Sequence, residues 1–429
     1  MDVTSESEAT TVPEATGGAR TLVVCFDGTM EEYDGDNTNA VKLFALLKKD
    51  DWREQLCYYQ PGIGTYVTPG AVSPILEWGA KLLDSAFAIF LKDHVMEGYK
   101  FLMNNYHTGD RICIFGFSRG SYIARALAGM LHKVGLLPRD NTEQVPFAFK
   151  MYQKTSESGI QLAAGYKQTF CQNVEVEFLG VWCVRSIFSL PALKFGYSRS
   201  WEWDGKNRET VASVGIIMCR SLPYTTGNAS VKTFRHAVSL DEHRVRFEPY
   251  LLEPKADAQS GYATDTLEVW FSGCHEDVGG GAVTNDTPHS LSDITLRWMV
   301  RQIVSSGCGI QFDPAALKRA SISLTFDDSP TIISPEERPV DDADSSQPLH
   351  DNLAGFSKWK LLEIFPLTWT RQDVQGGRHT KFGFHLGRSR QIVDPKPNFH
   401  YTVKERMENP ALKYKPKAKW VPGSEVYVE

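Results

Sequence analysis

The sequence predicts an α/β fold: a mostly parallel central sheet with helices on both faces and a nucleophile elbow. Three observations carry this. Gly116-Phe117-Ser118-Arg119-Gly120 lies between an apolar strand-like run, Arg111 to Phe115, and a helix-like run, Ser121 to Leu131. From Thr21 onward strand and helix patterns alternate β, α, β, α, β, α, as parallel pairing requires when each crossover is a helix. At 429 residues, 42% hydrophobic and 23% charged, the chain can bury one large core with extensions.

Taken in order, Met1 to Arg20 is acidic and rich in Thr, Ser and Ala, which predicts a disordered tail over residues 1–19 and no leader peptide. Thr21 to Phe26 is β-branched and aromatic and stops at Asp27-Gly28-Thr29, a first core strand delivering a polar loop. An Asp-Gly-Thr after a strand also resembles a phosphatase loop, but Cys25 holds the position of its nucleophile and the pattern fails. Asn39 is expected to cap the helical spacing of Ala40 to Leu47; Leu56 to Tyr59 reads as a second strand and Leu76 to Asn104 as a long helix. These elements belong to a catalytic domain over residues 20–325, closed by a helix at Leu291 to Val300. Residues 326–352 are acidic and Pro/Ser-rich, the pattern of a flexible linker or flap. Residues 353–429 form a C-terminal extension packing on the catalytic domain, with an aromatic stretch, Trp359 to Trp369, and a lysine-rich end, Lys404 to Lys419, that suits a solvated tail or peripheral contact with anionic headgroups.

The elbow carries the chemistry. A strand-to-helix turn this tight admits only glycine beside the serine, so Ser118 stands proud of the sheet as a nucleophile. The Arg119 amide at the helix start, and the Gly28 amide from the first strand's loop, are the expected oxyanion donors. The base is expected at His275, where the alternating strand Leu267 to Phe271 breaks into a glycine-rich loop, with Asp27 and Asp277 as supporting carboxylates. His236 and His243 lie on a helix-like pattern and read as packing or polar contacts. A net charge of −6 gives no reason to expect nucleic acid, and the eight scattered cysteines show no metal spacing, so neither metal nor cofactor is expected. No run approaches 18 apolar residues, and unpaired cysteines in strand patterns favour a reducing, cytoplasmic compartment.

Together these pieces resemble an α/β-hydrolase family of uncharacterised fungal proteins and type VI secretion system phospholipase effectors. The matching stretches are Phe26 to Thr29 with Asn37 to Asn39, Tyr59 to Thr65, Gly109 to Arg125, Phe178 to Trp182, Arg235 to Glu242 and Val269 to Gly281. The resemblance implies a serine ester hydrolase acting on lipid or phospholipid acyl esters through an acyl-enzyme, with Ser118 as nucleophile and His275 as base; the alternative is a catalytically silent scaffold or binding protein. Family members follow Gly-Val-Trp with the triad aspartate, where this chain has Cys183. Glu209 opens a run, Glu209 to Gly215, resembling what the family places directly after that tryptophan, so Glu209 is the expected acid and 183–208 an insertion, either a translated intron or a lid-like loop. Ester hydrolysis by this chain depends on whether that insertion leaves Glu209 at the strand end.

Overall fold

A computed structural model describes residues 19–28, 31, 33–62, 79–183, 222–247, 249–252, 264–323, 338–354, 360, 363–364, 367–372 and 378–429. Strands β1 (Thr21–Phe26), β2 (Gln55–Gln60) and β3 (Arg111–Phe117) alternate with helices α1 (Asn39–Leu46), α2 (Gly79–Asn105) and α3 (Arg119–Val134), the order expected. Helices α4 (Val145–Gln153) and α5 (Glu157–Phe170) lead to β4 (Val176–Trp182), β5 (Val231–Ser239) and β6 (Asp265–Phe271). After the short α6 (His275–Gly279) come α7 (Leu291–Ser306), α8 (Pro314–Arg319) and α9 (Arg338–Ser345). A two-stranded antiparallel ribbon, β7 (Leu367–Gln372) and β8 (Arg378–Gly383), precedes β9 (Asn398–His400), α10 (Tyr401–Glu408) and β10 (Val426–Val428).

The central sheet has eight strands in the order β10-β9-β6-β5-β4-β3-β1-β2, every pair parallel. Both faces are covered. Leu22, Val24, Ile112 and Ile114 pack with α2 to α4 on one side, while Val23, Cys25, Cys113 and Phe115 pack with α1 and α7 on the other. Strands buried on both faces are continuous apolar runs, which is why β1 and β3, past their first residues Thr21 and Arg111, are apolar throughout and carry no alternation. The chain runs outward from β1 to β2 and returns to β3 on the opposite side of β1, so the strand order reverses between β1 and β3. In open parallel sheets that reversal opens a crevice beyond the carboxyl ends of the two strands, and Asp27 and Ser118 stand at those ends.

Several local expectations are corrected. Thr38, not Asn39, caps α1, its side chain accepting from the Val41 amide; Asn39 is buried and its amide nitrogen donates to Val278 O, Ser292 O and Thr295 Oγ1, pinning α1 to α6 and α7. His236 lies in β5, because Arg235 to Val238 is a stretch of interior strand bonded on both edges, and His243 lies beyond that strand in no helix. The supposed linker contains α9, whose Asp341 and Asp344 are buried as partners of Arg297 on α7. The lysine-rich end is built in: Tyr414 and Ala418 are buried, Lys419 N donates to Arg390 O, and only side chains such as Lys413, Lys415 and Lys419 face solvent. The expected tail 1–19 lies outside the described residues except for its last position, as do Trp359, Leu361, Leu362 and Phe365 of the aromatic stretch.

Candidate active site

Ser118 sits between β3 and α3 at φ 55°, ψ −117°, a conformation sparsely populated by any residue with a side chain. What holds it there is the packing of its two glycines. A Cβ on Gly116 would lie 2.4 Å from Gly120 O, and one on Gly120 would lie 2.3 Å from Phe26 O and 2.5 Å from Asp27 O. The first turn of α3 therefore presses against the end of β1, the approach expected of the motif. Ser121 Oγ donates to Gly116 O and Trp182 O, both at 2.7 Å, and the Ser118 amide donates to Trp182 O at 3.1 Å, so β4 braces the elbow from its other side. The Arg119 amide lies in the first turn of α3, at the positive end of the helix.

The loop after β1 is organised by Asp27. Its Oδ1 accepts from the Gly28 amide at 2.7 Å and Thr38 Oγ1 at 2.8 Å, and its Oδ2 accepts from Tyr59 Oη at 2.6 Å, so one buried carboxylate ties β1 to the cap of α1 and the end of β2. Burial raises the Asp27 carboxyl against the pull of those three donors. The Gly28 amide, an expected oxyanion donor, is thus engaged by its neighbour. Beside it the half-buried Glu31 is pushed up to about 8, by burial first and then by Asp27 and Glu276.

His275 is the first residue of α6, separated from β6 by Ser272, Gly273 and Cys274. Gly273, at φ 117°, makes the turn that presents it; a Cβ there would lie 2.5 Å from Asp277 Cβ. Asp277 Oδ2 accepts from the Cys274 amide at 2.9 Å, closing the first turn, and Oδ1 bonds His350 Nδ1 at 2.7 Å, which raises the pKa of that histidine. The His275 ring packs against Phe117, the residue before Ser118, with centroids 4.9 Å apart, and against Phe247 at 4.8 Å, edge to face. A Cβ on Gly279 would lie 1.8 Å from the Phe117 ring, so α6 reaches the elbow only because glycine stands there. Ser118, Arg119, Asp27, Gly28, His275 and Asp277 are thereby brought to one end of the sheet. Glu209 and the insertion beyond Cys183 lie outside the described residues.

Cys183 directly follows β4, at the position where the family resemblance puts an aspartate. It is buried at φ 44°, its amide donates to Ala237 O at 2.9 Å, and burial pushes its thiol up to about 12, so it is no anion at neutral pH. A carboxylate that sequence reasoning placed in a motif without a role lies on the β5 side of this site. Glu242 is 2% exposed, and its Oε2 accepts from the His275 amide at 3.3 Å. Burial would raise its pKa, but the Arg244 fork, together with the fields of Arg390 and His275, holds it down at about 2. The neighbouring Asp241 is spent on structure, accepting from the Gly273 amide, Tyr414 Oη and the Lys417 amide. Only adjacency in the Asp241-Glu242 pair hinted at this division, and adjacency does not say which carboxylate faces the loop of β6.

Residues 20–302 match the family described as T6SS phospholipase effector Tle1-like, catalytic domain. The chain belongs to that family. Among curated proteins it is similar to the uncharacterized protein YEL023C of Saccharomyces cerevisiae, 28% identical over 448 residues, a match taking in 73% of this chain and 62% of that one. The chain thus spans less than two thirds of that relative. Among solved structures it is similar to the Tle1 effector bound to the VgrG spike of the type 6 secretion system, at 14% identity and a TM-score of 0.37, covering 90% of this chain and 96% of that one. An uncharacterized protein from Pseudomonas aeruginosa matches at 17% identity and a TM-score of 0.36, over 77% of this chain and 53% of the other. No helix among the described residues is long and apolar enough to cross a membrane, and no described His, Cys, Asp or Glu cluster has the make-up of a metal site.

Proposed function

We propose that this Tle1-like domain is a serine hydrolase that cleaves acyl esters of lipids or phospholipids through an acyl-enzyme. The observation that carries the reading is the strained Ser118 on a strand-to-helix turn, with the His275 ring packed on the residue before it. Ser118 Oγ attacks the ester carbonyl while His275 takes its proton, and the same histidine returns that proton to the leaving alcohol; water then repeats the sequence on the acyl-enzyme. The Arg119 amide stabilises the oxyanion, and Gly28 joins it by exchanging Asp27 for the substrate oxygen. Glu209 is the acid that the family resemblance assigns. Exposed Lys413, Lys415 and Lys419 suit contact with anionic headgroups, and a chain whose described cysteines are all free suits the cytoplasm.

Cys183 at the family's aspartate position favours a second reading, a silent scaffold that keeps the fold. A fluorophosphonate probe separates the two, since it labels only an activated serine. Labelling that disappears in Ser118→Ala, together with release of fatty acid from phospholipid vesicles, supports the hydrolase; an unlabelled folded protein establishes the scaffold.

A further inference from the structure

The loop after β5 holds three residues that touch His275 or one another and that the reaction scheme leaves without a role. Glu242 Oε2 accepts from the His275 main chain at 3.3 Å. Arg244 forks onto the same carboxylate, Nη2 to Oε2 at 2.7 Å and Nε to Oε1 at 3.0 Å, with both side chains 2% exposed. The Arg244 guanidinium then lies 3.6 Å above the centroid of the Phe247 ring, and Phe247 meets the imidazole edge to face at 4.8 Å with the planes at 76°. The contacts form a closed circuit: carboxylate to backbone, carboxylate to guanidinium, guanidinium to aromatic face, aromatic edge to imidazole. Resting on the reading of His275 as base, we propose that Glu242, Arg244 and Phe247 form a positioning unit for this histidine, and that Glu242 supplies the negative field that stabilises its imidazolium.

The physical case has two parts. A general base must be held within a fraction of an ångström, and His275 lies on a helix of only five residues that cannot fix it alone. Its ring is therefore clamped between Phe117 and Phe247, while its main chain is held through Glu242. Second, taking a proton creates a cation in a buried site, which is costly unless an anion is already in place. Glu242 is ionised and buried, and the Arg244 fork keeps it so. Other charged groups around this loop are Arg390 from the C-terminal extension, bonded to Ser239 O and Phe247 O, Glu363, which accepts from the Val245 amide and pairs with His385, and Glu276 and Asp277 on α6, the latter bonded to His350. Asp241, and Asp351 with His243 and Lys417, complete the surroundings of Cys274.

The test reads the imidazole itself. Histidine-labelled protein is titrated by NMR, the His275 signal being assigned by its loss in His275→Gln. Glu242→Gln should lower the His275 midpoint by about one pH unit, because it removes an anion and leaves Arg244 uncompensated; Arg244→Gln, which lets the buried Glu242 take a proton, should lower it as well. Glu242→Asp should restore most of the wild-type value. A midpoint that Glu242→Gln leaves unmoved, or that Glu242→Asp fails to restore, overturns the proposal. Should Glu242→Gln fail to fold, Arg244→Gln decides alone: a lowered midpoint supports the unit, and an unmoved or raised one refutes it. Because the midpoint is read without turnover, an inert protein would overturn the proposed hydrolase and leave this coupling standing.

Discussion

The two sides of the candidate site are built differently. On the nucleophile side, the shape comes mainly from neighbours in sequence: β3, the glycines at 116 and 120, and the first turn of α3 set Ser118, with the ends of β1 and β4 as the surfaces they press against. On the base side, the loops after β5 and β6 are held from far along the chain. Asp241 is bonded by Tyr414 and Lys417, Ser239 O by Arg390, Asp277 by His350, and the Val245 amide by Glu363, which also accepts from His385 and Gly387. The C-terminal extension thus completes the sheet through β9 and β10 and fixes the loops that present His275. The difference teaches that a nucleophile can be installed by a short motif, whereas the position of its base depends on the whole domain having closed.

The comparison can be broken most directly at its two reacting groups. Ser118→Ala should abolish probe labelling and cut hydrolysis of a p-nitrophenyl ester by about 10⁴-fold or more with thermal stability unchanged, and His275→Ala should cost about as much, since triad members act as a unit. His243→Ala should retain catalysis, and so should His236→Ala wherever the protein folds, although the latter vacates a fully buried site bonded to Glu268. Hydrolysis that survives Ser118→Ala ends the assignment.

Next in size is the deletion of 183–208, which joins Trp182 to Glu209. Cys183 donates its amide to Ala237 O, a backbone bond that needs no particular side chain and so is open to Glu209 in the shortened chain. The shortened protein should be at least as active as the full chain, and sequencing the transcript should show whether the segment is spliced out. A folded but inert deletion would assign the segment to the enzyme and remove Glu209 as its acid.

Smaller effects sharpen the contrast between the sides. Gly120→Ala places a Cβ 2.3 Å from the Phe26 carbonyl and should cost about 3 kcal/mol, measured by denaturant unfolding, because backbone on both sides resists moving. Tyr414→Phe removes one of the donors to Asp241 and should cost about 1 kcal/mol, yet it should lower kcat because the Gly273 turn that presents His275 loosens. Equal losses of stability and activity in both variants would erase the distinction drawn between the two sides.

The smallest expected effect is on pH. Glu31 holds a proton up to about 8 when folded and releases it near 4.5 when unfolded. The folded state then binds more protons across that window, so stability from this group is present below it and declines as pH rises toward 8. Glu31→Gln should flatten the decline, giving a higher Tm than wild type at pH 9 and little change at pH 4. Parallel Tm profiles for the two proteins would show that Glu31 ionises freely.

The elbow, the order of the first six elements and the position of His275 after a strand were legible in the residues, because each rests on local sterics: a turn only glycine permits, an apolar run, a break into glycine. The misread segments share a cause. Arg235 to Val238 reads like a helix until two neighbouring strands claim its backbone, and the acidic stretch around Asp341 and Asp344 reads as solvated until Arg297 pairs with both. The lysines of 404–419 hide a buried Tyr414 and a backbone that binds Asp241. By itself the sequence determined the parallel α/β plan and the serine's stage, since those depend on residues a few positions apart. Only the tertiary structure decided that Asp241 would be consumed in holding the β6 loop and Glu242 would face His275, because a carboxylate's role is set by which donors surround it, and apart from Arg244 those donors come from the Gly273 turn, from α6 and from residues more than 170 positions away along the chain.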